Sequence, residues 1–364
     1  MYLFLIGSLI YGFDKIKTFK PERKPAKTTF SVIVPFRNEA ENLPNLLASI
    51  STLNYPRDLY EVILVDDDSD DGSANLIDEF LLNKITNIRV ISNVRTSNSP
   101  KKDAITSAIG ISKHEWIITT DADCLLPKYW LDNFNMYIQK HDVKCLAAPV
   151  TYSYESHFLN RFQLLSMLSL QGATVGGFGI NVPFLSNGAN FAYKKTVFEA
   201  LNGFLGNNDI ASGDDIFLLE KIQKQYAGFL HYLKCDEAIV LTKAQTSWGA
   251  LINQHIRWAA KTSRYKNTFG KIVGTIVFLM NTLLVFLFML TILSLLSPKI
   301  LLYVTVIKLY IDFLLIYKTA SFFNQKHILK HYLLSFVIYP FFSCYVAVLS
   351  VFTGYHWKGR RFKK

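Results

Sequence analysis

The sequence predicts an α/β protein with a mostly parallel sheet, followed by helices that enter a membrane. Two observations support this prediction. Between residues 28 and 120, short β-branched runs alternate with segments of helical periodicity, and a β-α-β-α series of this kind builds a parallel sheet covered by helices. Residues 272–298, in contrast, carry no charged side chain, and that length is sufficient to cross a hydrocarbon core of about 30 Å.

The predicted elements of the α/β part follow one another closely. Strands are expected at 30–34, 60–65, 88–91 and 116–120, and helices at 74–82 and 103–112. A further helix is expected after the first strand, because Asn38 and Glu41 have the spacing of a capping box and an apolar stripe runs from Leu43 to Ile50.

Three polar clusters follow predicted strands. They are Arg37-Asn38-Glu39, Asp66-Asp67-Asp68 and Asp121-Ala122-Asp123. Ligands of parallel sheets bind at the carboxyl ends of strands, so the three clusters are expected to converge on one site. The second cluster has an alternative interpretation as a turn whose Asp and Ser residues cap the next helix. Neither a Walker motif nor a G-x-G-x-x-G turn follows the first strand, so the sequence does not support an NTPase or a dinucleotide-binding enzyme.

The third cluster suggests a metal site. At a strand end, Asp121 and Asp123 would point to the same side, and carboxylate oxygens suit Mg²⁺ or Mn²⁺ beside a diphosphate. A lone pair of surface acids is the alternative. Lys101 and Lys102, just before a predicted helix, are either nucleotide contacts or a solvated helix start.

The segment 246–261 carries the most specific pattern in the chain. Gln254, Arg257 and Trp258 stand at i, i+3 and i+4, so a helix would place an amide, a guanidinium and an indole on one face. Such a face suits a diphosphate and a sugar ring. The alternative is an amphipathic helix at the membrane surface, with Arg257 and Trp258 as interfacial anchors.

Composition narrows the class of protein further. The formal net charge of +11 suits anionic lipid and a nucleotide diphosphate, whereas the Lys and Arg residues are scattered and no nucleic-acid motif is present. Four cysteines show neither zinc spacing nor a disulfide framework, which fits a reducing compartment.

Two further apolar segments follow the uncharged run. One, 300–316, contains Lys308 and Asp312 on one helical face, either as a buried pair or near the interface, and the other, 328–352, contains Pro340. Basic residues cluster near both ends of the chain, which predicts that both ends are cytoplasmic. Near the N-terminus these are Lys15, Lys17, Lys20, Arg23, Lys24 and Lys27, and at the C-terminus they are Lys358, Arg360, Arg361, Lys363 and Lys364. Three spans would put the C-terminus outside, so we expect two spans and one interfacial or re-entrant segment.

The ordered motifs of the chain resemble those of membrane-associated family 2 glycosyltransferases. The resemblance covers residues 28 to about 265 and rests on SVIVPFRNEAENL, VILVDDDSDDGS, KKDAITSAI, TTDADC, SNGANFAYKK, SGDDIFLLEKI and QHIRW. It implies a GT-A fold.

The resemblance also implies roles for individual residues. Asp215 would be the catalytic base, with Asp214, Asn187 and Gly188 beside the acceptor and the stretch 187–190 nearby. Asp123 and Asp121 would form the metal and diphosphate site. The remaining residues would bind the donor: Pro35, Glu39, Asp67, Lys101, Asp121, Gln254, Arg257 and Trp258.

Two departures from the family pattern bear on function. The acidic base motif reads Gly213-Asp214-Asp215 instead of ending in Glu-Asp, and we select Asp215 because Leu218 follows at the family spacing. The acceptor element reads LSNGAN, which weakens the case for a long polymer.

The predicted activity is metal-dependent inverting transfer of a hexosyl or N-acetylhexosaminyl group. The donor would be a nucleotide-diphosphate sugar, most simply a UDP-sugar, and the acceptor a hydroxyl of a glycan or lipid-linked molecule at the membrane. Alternatives are a lipid-phosphate sugar transferase, a processive polysaccharide synthase, or a degenerate transferase acting as a scaffold in a membrane assembly.

The predicted organisation has five parts. These are an apolar membrane or interfacial segment at 1–13, a basic linker at 14–27, the GT-A domain at 28–269, membrane helices at 270–353 and a basic tail at 354–364. No signal peptide is expected, and the predicted location is the cell membrane, as in a bacterial inner membrane, with the catalytic domain cytoplasmic.

Overall fold

The computed structural model describes residues 1–22, 24–81, 87–262, 264, 266–358 and 360–362, without the side chains of 261, 262, 356, 357, 361 and 362. This described part does not include Leu82, the last residue of a predicted helix. It also does not include three of the basic residues from which a cytoplasmic location of both chain ends was predicted: Arg23, Lys363 and Lys364. The chain forms two compact units. One comprises residues 17–151 and 186–243, and the other comprises residues 1–16, 152–185 and 244–364.

The first of these is an α/β unit built on a seven-stranded sheet with the order β3-β2-β1-β4-β7-β5-β8. Its strands are β1 (Phe30–Phe36), β2 (Tyr60–Asp66), β3 (Ile88–Ser92), β4 (Trp116–Thr119), β5 (Cys145–Ala147), β7 (Phe191–Lys194) and β8 (Leu230–Tyr232). Strands β1 to β4 pair in parallel, and β7 pairs antiparallel with both β4 and β5. A separate two-stranded sheet joins β6 (Val150–Tyr152) and β9 (Val240–Thr242).

The α-helices in the described part of this unit are α2 (Leu43–Ser51), α3 (Ser73–Leu81), α4 (Pro100–Ile111), α5 (Trp130–Lys140), α7 (Lys195–Ala200) and α8 (Asp214–Tyr226). The two central strands are buried on both faces, as residues 32–34 and 62–64 have no exposed surface. Burial on both faces explains why the sequences of these strands are continuous apolar runs and not alternating polar and apolar residues. The predicted α/β fold with a mostly parallel sheet is confirmed.

The predicted capping box at the first helix is wrong. Helix α2 begins at Leu43, and its N-cap Asn42 makes no side-chain capping bond. Asn38 instead adopts a left-handed backbone conformation with φ 51°. Its side-chain amide donates to Asp70 at 2.8 Å, so this residue connects two loops.

The second unit is helical, with a C-terminal hairpin of β10 (Tyr355–Trp357) and β11 (Arg360–Phe362). Its helices are α1 (Tyr2–Lys15), α6 (Phe158–Gly179), α9 (Trp248–Thr262), α10 (Thr268–Ile292), α11 (Pro298–Phe322) and α12 (Tyr332–Phe352). Three helical segments in the described part, 268–292, 298–322 and 326–352, are long and apolar enough to cross a membrane.

Helix α6 was not anticipated from the sequence, and it forms close contacts inside the helical unit. Its Gly176 and Gly179 pack against Leu9 and Gly12 of α1 so closely that a Cβ on either glycine would overlap α1 backbone. Gly172 faces Thr319 of α11. Small residues at such positions let two helices approach closely.

The charged residues predicted inside the second apolar segment form a buried pair. Lys308 Nζ lies 2.6 Å from Asp312 Oδ2, and the lysine side chain is 4% exposed. The Tyr2 hydroxyl donates to Asp312 Oδ1 at 2.6 Å, which links α1 to α11. Charges in a membrane-spanning segment are typically paired in this way.

Candidate functional site

The candidate site lies at one edge of the seven-stranded sheet. Because β1, β2 and β4 are parallel, the residues that follow them leave the sheet at the same edge. Strand β7 starts at this edge, since Phe191 pairs with Thr119 at the end of β4. The segments 37–39, 66–68, 121–123 and 187–190 therefore meet there, as the sequence predicted for the first three.

Lys101 connects two acidic elements that are far apart in sequence. It lies in the first turn of α4, and its Nζ is 2.7 Å from Asp121 Oδ1 and 3.3 Å from Asp214 Oδ2. Burial alone would lower the pKa of the ammonium, but the charges of Asp121 and Asp214 outweigh burial and raise the pKa above its usual value. Lys101 therefore places a positive charge between the Asp-Ala-Asp and Gly-Asp-Asp elements.

Asp214 and Asp215 have different surroundings. Asp214 is buried, 7% exposed, and forms the ion pair with Lys101. Asp215 is partly exposed at the N-terminus of α8. Its Oδ2 accepts a hydrogen bond from the Gly188 amide at 3.1 Å, and its Oδ1 accepts one from the Ile216 amide at 2.8 Å. A base must reach its substrate, so the more exposed Asp215 is the better candidate.

Gly188 is packed tightly between Thr119 and the two carboxylates of Asp214 and Asp215. Its carbonyl accepts a hydrogen bond from Thr119 Oγ1 at 2.7 Å, and a Cβ at this position would lie 2.9 Å from Asp214 Oδ2. The preceding Asn187 accepts the Ala189 amide at 3.0 Å through its side-chain oxygen. The local turn is thus fixed from both sides.

Asn190, the last residue of the stretch expected beside the acceptor, lies inside the fold. It has no exposed surface, and its amide group bonds to Trp130 Nε1 at 2.9 Å, the Pro149 carbonyl at 2.8 Å and the Ala238 carbonyl at 2.9 Å. These bonds join separate segments of the α/β unit. Asn190 therefore has a structural role.

The acidic run 66–71 is engaged in contacts within the protein. The carboxylate of Asp66 accepts the Ser69 hydroxyl at 2.6 Å, and that of Asp71 accepts the Ser73 hydroxyl at 2.5 Å. Asp67 is 5% exposed, and its Oδ1 accepts Arg95 Nε at 2.6 Å. The turn interpretation accounts for the ends of the run, whereas Asp67 is oriented by an arginine that the sequence analysis did not identify.

The other predicted donor residues surround this turn. Arg37 donates to the backbone carbonyls of Asp67 and Asp68. Glu39 accepts the Asn42 side-chain amide at 2.6 Å. Pro35 lies near the end of β1 and is partly exposed.

Asp121 and Asp123 do not follow strand alternation, because β4 ends at Thr119 and both residues lie in the turn that follows. The Asp121 carbonyl accepts the Cys124 amide at 3.2 Å in this turn. Both carboxylates are partly exposed. Burial, together with these two charges, raises the pKa of the Cys124 thiol well above its usual value, so it is not a thiolate ligand.

Lys102 is neither a nucleotide contact nor part of a solvated helix start, the two roles that the sequence suggested. It is 1% exposed and its Nζ donates to the backbone carbonyls of Asn207 and Ile210. The neighbouring Asp103 accepts the amides of Thr96 and Ser97 at 3.1 and 2.9 Å. Sequence reasoning missed these contacts because each depends on loops whose folded paths no local pattern reveals.

In the helical unit, Gln254, Arg257 and Trp258 lie on α9, so the predicted helical spacing is correct. The Trp258 ring is 4.9 Å from that of His255. Among the residues that the structure describes, the buried Gln254 Oε1 has no hydrogen-bond partner. A buried polar atom of this kind is costly unless a ligand or water satisfies it.

The largely parallel sheet, with the Asp-Ala-Asp turn and a second acidic pair at one edge, is a GT-A-like α/β fold. Residues 31–202 match the model of glycosyl transferase family 2. Over this stretch the chain is similar to that family, in line with the resemblance described above.

Two curated relatives show the extent of the similarity. The probable glycosyltransferase YdaM of Bacillus subtilis is 27% identical over 237 residues, covering 63% of this chain and 54% of the relative. The poly-beta-1,6-N-acetyl-D-glucosamine synthase of Staphylococcus epidermidis is 25% identical over 181 residues, covering 46% of this chain and 41% of the relative. The chain therefore spans about half the length, or less, of these two relatives.

A solved structure shares the fold. The mannosyltransferase PcManGT from Pyrobaculum calidifontis, solved in complex with GDP-Man and Mn²⁺, has a TM-score of 0.56 and 17% identity, with 96% of each chain covered. At this identity the similarity establishes the fold.

Proposed function

We propose that this protein is an inverting glycosyltransferase that moves a sugar from a nucleotide-diphosphate sugar to a hydroxyl of a glycan or lipid-linked acceptor at the membrane. The observation that carries the proposal is the ion pairing of Lys101 with both Asp121 and Asp214. It brings the element suited to a diphosphate next to the element suited to a general base. The family match of residues 31–202 supports the same class of reaction.

In this proposal Asp215 is the base. Its carboxylate oxygens are oriented by the Gly188 and Ile216 amides, and the side chain is partly exposed, as a base that meets a substrate hydroxyl must be. Removal of the hydroxyl proton lets the acceptor oxygen attack the anomeric carbon while the nucleoside diphosphate leaves from the opposite face. Asp214, held by Lys101, orients the start of α8 without taking the proton.

Donor binding is assigned to the turn around Asp67. Pro35, Glu39 and Asp67 would contact the nucleoside, and Arg95 holds the Asp67 carboxylate in one orientation through a contact of 2.6 Å. Lys101 supplies positive charge near the diphosphate. We also assign Gln254, Arg257 and Trp258 to ligand binding, because Gln254 Oε1 is buried without a partner in the described part of the chain. Loss of donor affinity in Arg257→Ala, with the fold retained, would support this role.

A divalent ion fits the Asp121-Ala122-Asp123 turn. Both carboxylates are partly exposed and offer the hard oxygen ligands that Mg²⁺ and Mn²⁺ prefer. The described residues contain no group of three or more Asp, Glu, His or Cys side chains that could hold a metal. When bound, such an ion would neutralise charge on the departing diphosphate.

The proposed sugar is a hexose or N-acetylhexosamine carried by UDP, and the relative named as an N-acetylglucosamine polymer synthase supports this choice. Product sizing with excess labelled donor distinguishes the acceptor alternatives. One or two additions to a glycan support short extension, a sugar on a lipid phosphate supports the lipid-phosphate transferase, and early polymer supports a processive synthase. The three candidate spans support a membrane location, for which we propose a bacterial inner membrane with the α/β unit in the cytoplasm.

The decisive experiment is a nucleotide-release screen of purified full-length protein in lipid nanodiscs with a panel of UDP- and GDP-sugars. The wild type should release nucleotide with one donor, and Asp215→Asn should bind that donor but transfer sugar only at a small residual rate. Activity retained in Asp215→Asn and lost in Asp214→Asn would move the base by one residue. Absence of release and of donor binding by the wild type would support the scaffold alternative.

A further inference from the structure

The loop that precedes the candidate base is held by two lysines. This α7–α8 loop, residues 201–213, leads directly into Asp214 and Asp215 and turns through left-handed conformations at Asn202, Gly203 and Gly206. The backbone bonds of the loop include local turn bonds, such as those from the Leu205 amide to the Asn202 carbonyl and from the Asn207 amide to the Phe204 carbonyl, both 3.0 Å. Side-chain contacts from outside the loop add to these bonds and help to fix its path.

Lys102 holds the half of the loop closest to the base. Its Nζ donates to the Asn207 carbonyl at 2.6 Å and the Ile210 carbonyl at 2.9 Å, and lies 4.8 Å from the centre of the Phe217 ring. Phe217 is on the first turn of α8, where its amide donates to the Gly213 carbonyl at 3.0 Å. One ammonium group therefore contacts both the loop and the helix that carries Asp215.

Lys221 holds the other half. It extends from α8 and donates to the Gly203 carbonyl at 2.6 Å and the Leu205 carbonyl at 2.8 Å. The two lysines thus bind successive parts of one loop, and only the Lys102 part adjoins the base motif.

The burial of Lys102 makes its contacts energetically significant. The residue is 1% exposed, and an ammonium removed from water is costly unless dipoles or charges compensate it. Carbonyl oxygens and an aromatic face provide such compensation. The adjacent Lys101 pairs with Asp214, so the first turn of α4 contacts the base motif and the loop before it through consecutive residues.

We propose that Lys102 is a positioning residue for sugar transfer, which fixes the α7–α8 loop so that Asp215 stays hydrogen-bonded to the Gly188 amide. This inference rests on the proposed function, because it assigns Lys102 an effect that acts through the proposed base. Lys102 itself does not contact substrate in this role.

The test compares Lys102→Met with two lysine controls in the full-length protein in nanodiscs. Lys221→Met affects the distant half of the loop, and Lys194→Met removes an ion pair with Glu115 on the surface. Hydrogen exchange of residues 205–216 should accelerate about tenfold or more in Lys102→Met, because local contacts set local opening. It should be unchanged in Lys194→Met, and Lys221→Met should accelerate exchange mainly in residues 201–206.

Kinetics distinguish positioning from general stability. Lys102→Met should lower kcat by about 10- to 100-fold, with the donor Kd changed less than about twofold, because a small displacement of a catalytic group is costly. Lys102→Arg, which keeps the charge, should recover most of kcat. In an Asp215→Asn background the Lys102→Met change should slow the residual rate no further, because both changes affect one step.

Three results would overturn the inference: wild-type exchange and kcat in Lys102→Met, an equal loss of rate in the Asp215→Asn background, or no recovery with Lys102→Arg. If Lys102→Met does not fold, Phe217→Leu removes the aromatic contact and should produce the same changes to a smaller extent. If the wild type transfers no sugar from any donor, the proposed function fails, and the exchange experiment still decides whether Lys102 orders the loop.

Discussion

The Gly188 amide donates a hydrogen bond to Asp215 Oδ2 at 3.1 Å, which ties the turn before β7 to the start of α8. The same glycine leaves no room for a side chain, since a Cβ would lie 2.9 Å from Asp214 Oδ2. The backbone of one residue therefore sets the position of two carboxylates. The missing side chain, and not a left-handed backbone conformation, therefore explains the glycine at position 188.

We expect Gly188→Ala to displace Asp214 and, with it, the adjacent Asp215, which a Cβ would meet at 3.7 Å. Transfer should fall by about tenfold or more, because misplacing the base by a fraction of an ångström slows the chemical step. Steady-state kinetics with donor and acceptor would measure the effect. Gly110→Ala in α4 is the control, since a Cβ there meets nothing within 4 Å. Unchanged kcat in Gly188→Ala would show that the contact does not position the base.

A second prediction concerns the proposed metal. Asp123→Ala should abolish turnover and weaken the binding of Mn²⁺ in the presence of nucleoside diphosphate, because it removes one hard oxygen ligand. Isothermal titration with Mn²⁺ gives a readout that does not depend on activity. Asp142→Ala, a change in an acidic residue outside the site, is the control. Full activity of Asp123→Ala after exhaustive chelation would contradict the metal assignment.

The fold was more predictable than the site. β-branched runs located β1 to β4 within one or two residues at each end, because central strands buried on both faces must be apolar along their whole length. Helix α6 was missed because it is buried around much of its circumference by other helices of its unit, so no apolar stripe marks it.

Site contacts were harder to predict because they join distant loops. Acidic motifs identified Asp121 and Asp214, but their common partner Lys101 could be recognised only as a candidate nucleotide contact. The link from Arg95 to Asp67 and that from Lys102 to the α7–α8 loop leave no periodic trace in the sequence. Tertiary contacts of this kind depend on loop paths that local propensities do not determine.

The third prediction uses the raised pKa of Lys101. Because the folded pKa lies above the unfolded value of 10.5, the stability that Lys101 contributes is complete below that value and is lost only as pH rises through the folded pKa. Lys101→Met should lower the thermal midpoint by the same amount from about pH 6 to about pH 9. A difference that disappears within this range would show that Lys101 loses its charge there. Transfer should fall in the variant, since Asp121 and Asp214 lose their shared cation.

The fourth prediction concerns His255, whose ring nitrogen Nδ1 lies 3.0 Å from the Leu251 carbonyl. Burial lowers the pKa of His255 from 6.5 to about 4. The folded state therefore binds fewer protons, and stability present above pH 6.5 is lost as pH falls towards 4, by at most roughly 3 kcal/mol.

Thermal unfolding between neutral and acidic pH would measure this effect. His255→Gln should flatten the dependence because glutamine has no charge to acquire, while the exposed His157→Gln should leave it in place. Equal pH dependence in the wild type and His255→Gln would exclude this histidine as the cause.

The last prediction compares two glycines of one helix. On α1, a Cβ at Gly12 would overlap the Gly176 carbonyl of α6, whereas a Cβ at Gly7 meets nothing within 4 Å. Gly12→Ala should therefore separate α1 from α6 and destabilise the helical unit by about 1–3 kcal/mol, as overpacking does. Gly7→Ala should be neutral or stabilising by up to about 1 kcal/mol, because alanine favours a helix over glycine. Unfolding midpoints in one detergent would compare the two directly, and a Gly12→Ala variant as stable as Gly7→Ala would show that the two helices do not need this close contact.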